Sequence, residues 1–249
     1  MVIIMDITEN AFKNKKNLIK NELFELDPEF NGIIENFIFD EVDRNNTLDE
    51  RSAELVRLAT LIANQSYDLY RNFLEGSLDI LSPEEIKEVL YQSTAYVGLG
   101  KSYEFIKITN EVLIDNNIDL PLKSQSTTNL DNRYEKGLEL QVKYFGESLK
   151  DARDNAKEGQ KHFIDFLRDY CFGDYYTRNG LNDQDRELIT FAFLTTLGDC
   201  GNQLRGHIQG NLNIGNDEKK LINALTVIMP FIGFPRTLNS LAIINEFST

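Results

Sequence analysis

Apolar residues recur at three- and four-residue spacing through most of this chain, the period of helices with one buried face. Leu55, Leu58, Ala59 and Ile62 share one such face, and Leu188, Phe191, Ala192 and Leu194 share another. Start signals accompany the pattern. Ser82-Pro83-Glu84-Glu85 offers a capping serine, a proline at the first helical position and acid in the first turn. Asp183 and Asp185 stand in a similar position ahead of the Leu188 helix. No convincing run of alternating β-branched residues interrupts these segments, so the expected fold class is all-α.

The helical pattern also repeats. Phe39 to Leu55 aligns without a gap on Phe172 to Leu188, and Ala59 and Leu61 then fall on Ala192 and Leu194. After a slip of one residue, Arg71-Asn72-Phe73-Leu74-Glu75-Gly76-Ser77-Leu78 lies opposite Arg205-Gly206-His207-Ile208-Gln209-Gly210-Asn211-Leu212. A further slip brings Tyr96-Val97-Gly98-Leu99 onto Phe231-Ile232-Gly233-Phe234. Self-similarity in this order reads as tandem duplication of one helical module. The Pro-, Ser-, Thr- and Asn-rich stretch around Pro121 reads as the connector, dividing the chain into modules of residues 1–120 and 121–249.

Charge narrows the partners. The 249 residues carry 40 acidic and 26 basic side chains, a net charge of −14, which repels phosphate backbones and anionic lipid. Nucleic acid and membrane surfaces are therefore not expected partners. The longest apolar stretch, Ala224 to Phe234, is short for a bilayer and contains Pro230. Met1 to Met5 meets Asp6 without the basic flank and long apolar core of a signal peptide, so a cytoplasmic protein is expected. Two cysteines and two histidines, far apart, make neither a disulfide framework nor a zinc-ligand spacing, and no metal is expected.

The candidate chemistry lies in the second copy. Gly198 is placed to end one helix and Asp199 to cap the next, so Cys200 falls at a helix start, where the dipole favours thiolate. His207 follows two turns later on the same face, with Gln203 between them. A tight turn at Gly198 would fold the Glu187 helix back and set its carboxylate beside His207, an arrangement suited to acid/base work. Against this stands the commoner use of a single histidine or cysteine as a packing residue. Arg178 and Arg186 have no counterpart in the first copy, which carries Asn45 and Ala53. A guanidinium fork suits carboxylates, though in so acidic a chain it equally suits a surface ion pair. Tyr175 and Tyr176, beside Arg178, would wall a pocket or pack between helices.

Taken together, Cys171-Phe172-Gly173-Asp174-Tyr175-Tyr176-Thr177-Arg178-Asn179-Gly180-Leu181, Arg186-Glu187-Leu188, Leu204-Arg205-Gly206-His207 and Ile232-Gly233-Phe234-Pro235 resemble the carboxymuconolactone decarboxylase family of the AhpD-like helical superfamily. The resemblance covers most of the second copy and, more weakly, the first. It implies an all-α module that assembles into rings, so that a two-module chain forms a homotrimer. It also implies one of two activities: cofactor-independent decarboxylation of a small carboxylated lactone or related acid, or a thiol-based antioxidant activity on peroxides.

On the first, Arg178, Arg186 and Tyr176 would bind the substrate while His207, oriented by Glu187, moves the proton. On the second, Cys200 would be the reactive thiol. A ring-forming binding protein without catalysis is the third reading. The chain departs from both enzyme patterns. Gln203 stands where the thiol motif has its second cysteine, and the tryptophan expected near Gly173 is absent, with Phe172 and Tyr176 in its place. The first copy has Phe73 in place of the histidine and keeps only Glu54, so it reads as a structural half.

Overall fold

Eleven helices and no strand make up residues 26–248, the part of the chain that the computed structural model describes. The Met1–Asp6 stretch lies outside the described residues. The first half contains α1 (Pro28–Asn36), which continues as a π-helical segment Phe37–Val42, then α2 (Glu50–Ala63), α3 (Tyr67–Ser77), α4 (Pro83–Val97) and α5 (Leu99–Asp115). The second contains α6 (Arg133–Phe145), short α7 (Ala152–Asn155), α8 (Lys161–Phe166) continuing as a longer π-helical segment Leu167–Tyr176, α9 (Asp183–Leu197), α10 (Gly201–Asn213) and α11 (Glu218–Asn245).

Local chemistry sets the helix starts. Ser82 and Glu85 form a reciprocal capping box at α4, with Pro83 in the first turn. At α9 the cap is Asn182, whose side chain accepts from the Asp185 backbone N–H at 2.9 Å while Asp185 bonds back. Asp183, expected to cap, is instead the first helical residue. The start of α10 also differs from expectation. Asp199 has φ 53°, outside capping geometry, and Cys200 occupies the N-cap without a side-chain cap bond.

The two halves run through the same order: π-helical segment, buried helix, second helix, then a helical stretch broken at glycine. Gly98, between α4 and α5, has φ 80° and ψ 155°, and Gly233, inside α11, has φ 76° and ψ 165°. Both lie in the left-handed half of backbone space, where a side chain is strained. The chain turns the same corner in the same way at both places.

Helices α2, α9 and α11 pack against one another and supply one core across the connector, in which Leu55, Leu58, Leu188, Phe191, Ala224 and Ile228 are buried together. Each leucine, isoleucine or phenylalanine among them contributes roughly 1.5–3 kcal/mol when removed from water. Helix α11 is long and apolar enough, by length and composition, to cross a membrane. Within it Ala224, Leu225, Val227 and Ile228 are buried in the core, and the helix breaks at Gly233. A smaller cluster of Tyr144, Cys171, Phe172 and Tyr176 joins α6 to the second π-helical segment.

Candidate functional site

The turn at Gly198–Cys200 folds α10 back along α9, and the two helices pack together. Glu187 on α9 is fully buried, and its Oε2 lies 2.9 Å from His207 Nδ1 on α10. A carboxylate in that position fixes the imidazole orientation. Glycine at position 210 makes the approach possible. A Cβ there would lie 2.7 Å from Glu187 Oε2 and 2.6 Å from Phe145 Cε1. Asn211 holds the pair from behind, its Nδ2 donating to the backbone oxygens of Glu187 at 3.0 Å and His207 at 2.8 Å. Asn216 donates in turn to Asn211 Oδ1. Glu187 Oε1 has no hydrogen-bond partner among the described residues.

His207 lies on the wall of a cavity of about 770 Å3. Its ring meets Phe145 and Tyr96 edge-on, with centroids 5.2 and 5.9 Å away. With Nδ1 engaged by Glu187, Nε2 is the ring nitrogen left for a bound molecule. Cys200, Gln203 and Gly206 continue the wall along α10, and Phe163, Phe166 and Leu167 form the outer side. No lysine, arginine, aspartate or glutamate is among the residues lining it. The site is therefore a largely apolar chamber with one imidazole on its wall. Tyr96 and Phe145 come from elements far from the motifs, and no local pattern pointed to them.

The arginines do not serve this chamber. Arg186 is fully buried, with its terminal nitrogens on Glu88 Oε2 at 3.1 Å, Gln92 Oε1 at 2.9 Å and the Arg178 backbone oxygen at 2.7 Å. Arg178 directs Nε to both oxygens of Glu88, at 2.9 and 3.0 Å. Neither guanidinium, expected to hold a substrate, is among the residues lining the chamber with His207. A buried carboxylate contributed by α4 of the first half takes them both. Tyr176 is likewise buried, and its hydroxyl bonds Tyr96 and, at 2.5 Å, Thr190 Oγ1. It braces Tyr96 and does not itself line the chamber.

The two cysteines both reach the chamber wall. Both thiols are held above their ordinary value. Burial pushes Cys171 up to about 12, with the Glu187 charge adding to it. Burial, and then the neighbouring Asp199 carboxylate, raise Cys200 above its ordinary value. Its Sγ donates to the backbone oxygens of Gly198 at 3.0 Å and Leu194 at 3.4 Å. The thiolate expected from the helix start is therefore overridden by desolvation and a nearby negative charge.

Comparison with known proteins now bears on this arrangement. Residues 162–246 match the model of the carboxymuconolactone decarboxylase family, a span that contains Glu187, Cys200, His207 and the Gly233 break. This part of the chain is therefore similar to the carboxymuconolactone decarboxylase family. The 4-carboxymuconolactone decarboxylase of Acinetobacter baylyi is 28% identical to it over 108 residues, which is 43% of this chain and 80% of that protein. A crystal structure of a candidate gamma-carboxymuconolactone decarboxylase subunit from Burkholderia xenovorans superposes with a TM-score of 0.51 at 21% identity. That likeness covers 90% of this chain and 88% of the other, so it extends beyond the matched module to both halves of the fold.

Proposed function

We propose that this protein is a cofactor-independent, decarboxylase-like enzyme in which His207, positioned by Glu187, exchanges a proton with substrate carbon. The observation that carries this reading is the 2.9 Å pairing of a fully buried carboxylate with an imidazole on the wall of an apolar chamber. The substrate class is a small carboxylated lactone or related acid. With no lysine or arginine in the lining, the chamber suits a compound with a single carboxylate on an otherwise apolar body.

The chemistry follows from those groups. The bond between the substrate carbon and its carboxylate breaks, carbon dioxide leaves, and the electron pair stays on carbon. Apolar surroundings disfavour the localised carboxylate more than the dispersed charge that replaces it. The imidazolium then delivers a proton from Nε2 to that carbon, and the neutral ring regains one from solvent. Glu187 stabilises the charged ring between these steps.

The duplication and the trimer belong to the same reading. The repeated element order and the matched glycine corners favour one ancestral module, and Phe163 and Phe166, 64% and 59% exposed at the chamber's outer wall, are suited to cover by another copy. The raised Cys200 thiol makes peroxide chemistry the weaker alternative.

The test is turnover of a panel of carboxylated lactones by the full chain. His207→Ala is expected to slow it by about 10²- to 10⁴-fold, whereas Cys200→Ser costs less than roughly tenfold, since it alters only the wall. Unchanged turnover in His207→Ala, or the larger loss in Cys200→Ser, sinks the proposal.

A further inference from the structure

Away from the chamber, a second pocket of about 610 Å3 lies between α4, α5 and the connector. Its charge runs against the rest of the molecule. Lys87 on α4 is only 6% exposed, and among the described residues its ammonium meets just one partner, the neutral side-chain oxygen of Asn110. No described carboxylate forms an ion pair with it. Enclosing a cation without a counter-ion is costly, and in a chain with 14 more acids than bases it needs a reason.

The surroundings add to the positive charge. Arg178 lines the same pocket and stacks over the Tyr91 ring at 5.2 Å, using only Nε on Glu88. Glu88 itself is shared between Arg178 and Arg186, so one carboxylate faces two guanidiniums. Lys123 on the connector closes the side, and Glu84 is the other acid in the lining. Three cations, Lys87, Lys123 and Arg178, thus line the pocket against two carboxylates, and Arg186 behind it takes part of the Glu88 charge. Tyr91, Ile106 and Pro121 supply flat and apolar surface beside them. The connector that forms this wall is fastened to the second half, Asn179 N–H donating to the Gln125 oxygen at 2.9 Å and Thr128 Oγ1 to the Gly173 oxygen at 2.8 Å.

We propose that this pocket is a second ligand site, which binds a small organic anion with its carboxylate or phosphate group on Lys87 and Arg178 and its apolar body against Tyr91 and Pro121. The anion supplies the counter-charge that Lys87 lacks, and charge-assisted hydrogen bonds from a guanidinium and a buried ammonium are the strong kind. The proposal does not depend on the reaction assigned to His207.

Equilibrium dialysis of the full chain against benzoate and against phenyl phosphate, with benzyl alcohol as the uncharged control, tests it. Binding of either anion, and not of the alcohol, is expected, and the two arms separate a carboxylate ligand from a phosphate one. Lys87→Met is expected to weaken that binding by at least roughly tenfold and to raise the melting temperature of the free protein, because it removes a buried unpaired charge. Lys123→Met, at an exposed position that does not threaten folding, is expected to weaken it about threefold, and His207→Ala to leave it unchanged. Absence of binding by both anions overturns the proposal, as does binding in Lys87→Met or Lys123→Met equal to that of the parent protein.

Discussion

Glu54 and Glu187 occupy equivalent places in the two halves, both buried near the start of the central helix of their half, yet they meet opposite fates. Glu54 is closed off. Arg57, one turn on, bonds Oε1, Ser77 donates to Oε2 at 3.1 Å, and Phe73 stands where the second half has its histidine, with the Arg57 guanidinium 5.2 Å above its ring. Glu187 has Thr190 in the position of Arg57 and Asn211 in that of Ser77, and Asn211 turns to the backbone. Its carboxylate is left to the imidazole. The same buried acid is an internal ion pair in one half and the partner of an imidazole in the other, and three side chains make the difference.

The largest expected effect breaks that contrast at the ring. His207→Phe, which installs the residue of the first half, is expected to reduce turnover by about 10²- to 10⁴-fold. The converse Phe73→His creates no second active centre, because Arg57 still holds Glu54. Steady-state rates of the two variants check both statements, and a gain of activity in Phe73→His would show that the ring alone defines the site. Next in size is the ion pair. Arg57→Met leaves Glu54 buried and uncompensated and is expected to cost about 3–5 kcal/mol in urea unfolding, whereas adding Glu54→Gln restores most of it. If the single and double variants are equally unstable, Glu54 is held by packing and not by charge.

The contrast was partly legible in the residues alone. The helical period, the Ser82 capping box and the Gly198 turn are local signals, and they were enough to expect an all-α chain with Glu187 folded onto His207. The partner of the arginines was not. Glu88 lies 90 residues before Arg178 and 98 before Arg186, and no spacing rule connects them, so a guanidinium pair beside a motif read as a carboxylate clamp. The environment of the Cys200 thiol was hidden for another reason: the helix start is visible in sequence, while the desolvation and the Asp199 carboxylate that raise the thiol depend on packing. Tyr96 shows the same limit, since it reaches the chamber from the first half through a hydroxyl chain to Tyr176 and Thr190.

A subtler alteration tests whether Glu187 must sit where it does. Gly210→Ala puts a methyl group where it would be 2.7 Å from Glu187 Oε2, so the carboxylate or the Phe145 ring must move. Alanine also favours a helix by roughly 1 kcal/mol over glycine. The expected outcome is a loss of about tenfold in kcat with little change in KM or in melting temperature. A loss confined to stability would instead assign Gly210 to packing.

The smallest effect concerns Cys171, whose aligned position in the first half is the apolar Ile38. Burial holds its thiol proton up to about pH 12, against 9.0 for an ordinary thiol. Below pH 9 both folded and unfolded chains keep the proton and the thiol has no pH-dependent effect. Between pH 9 and 12 the unfolded chain releases it while the folded chain retains it, so stability falls as pH rises, by up to about 1.4 kcal/mol per pH unit. Tyrosines and lysines titrate in the same window, and only a difference isolates the thiol. Cys171→Ala is therefore expected to show a shallower alkaline decline in unfolding free energy than the parent chain. Parallel declines would mean that the Cys171 thiol ionises as readily in the fold as out of it, and that the second half bears no electrostatic cost for a cysteine where the first has isoleucine.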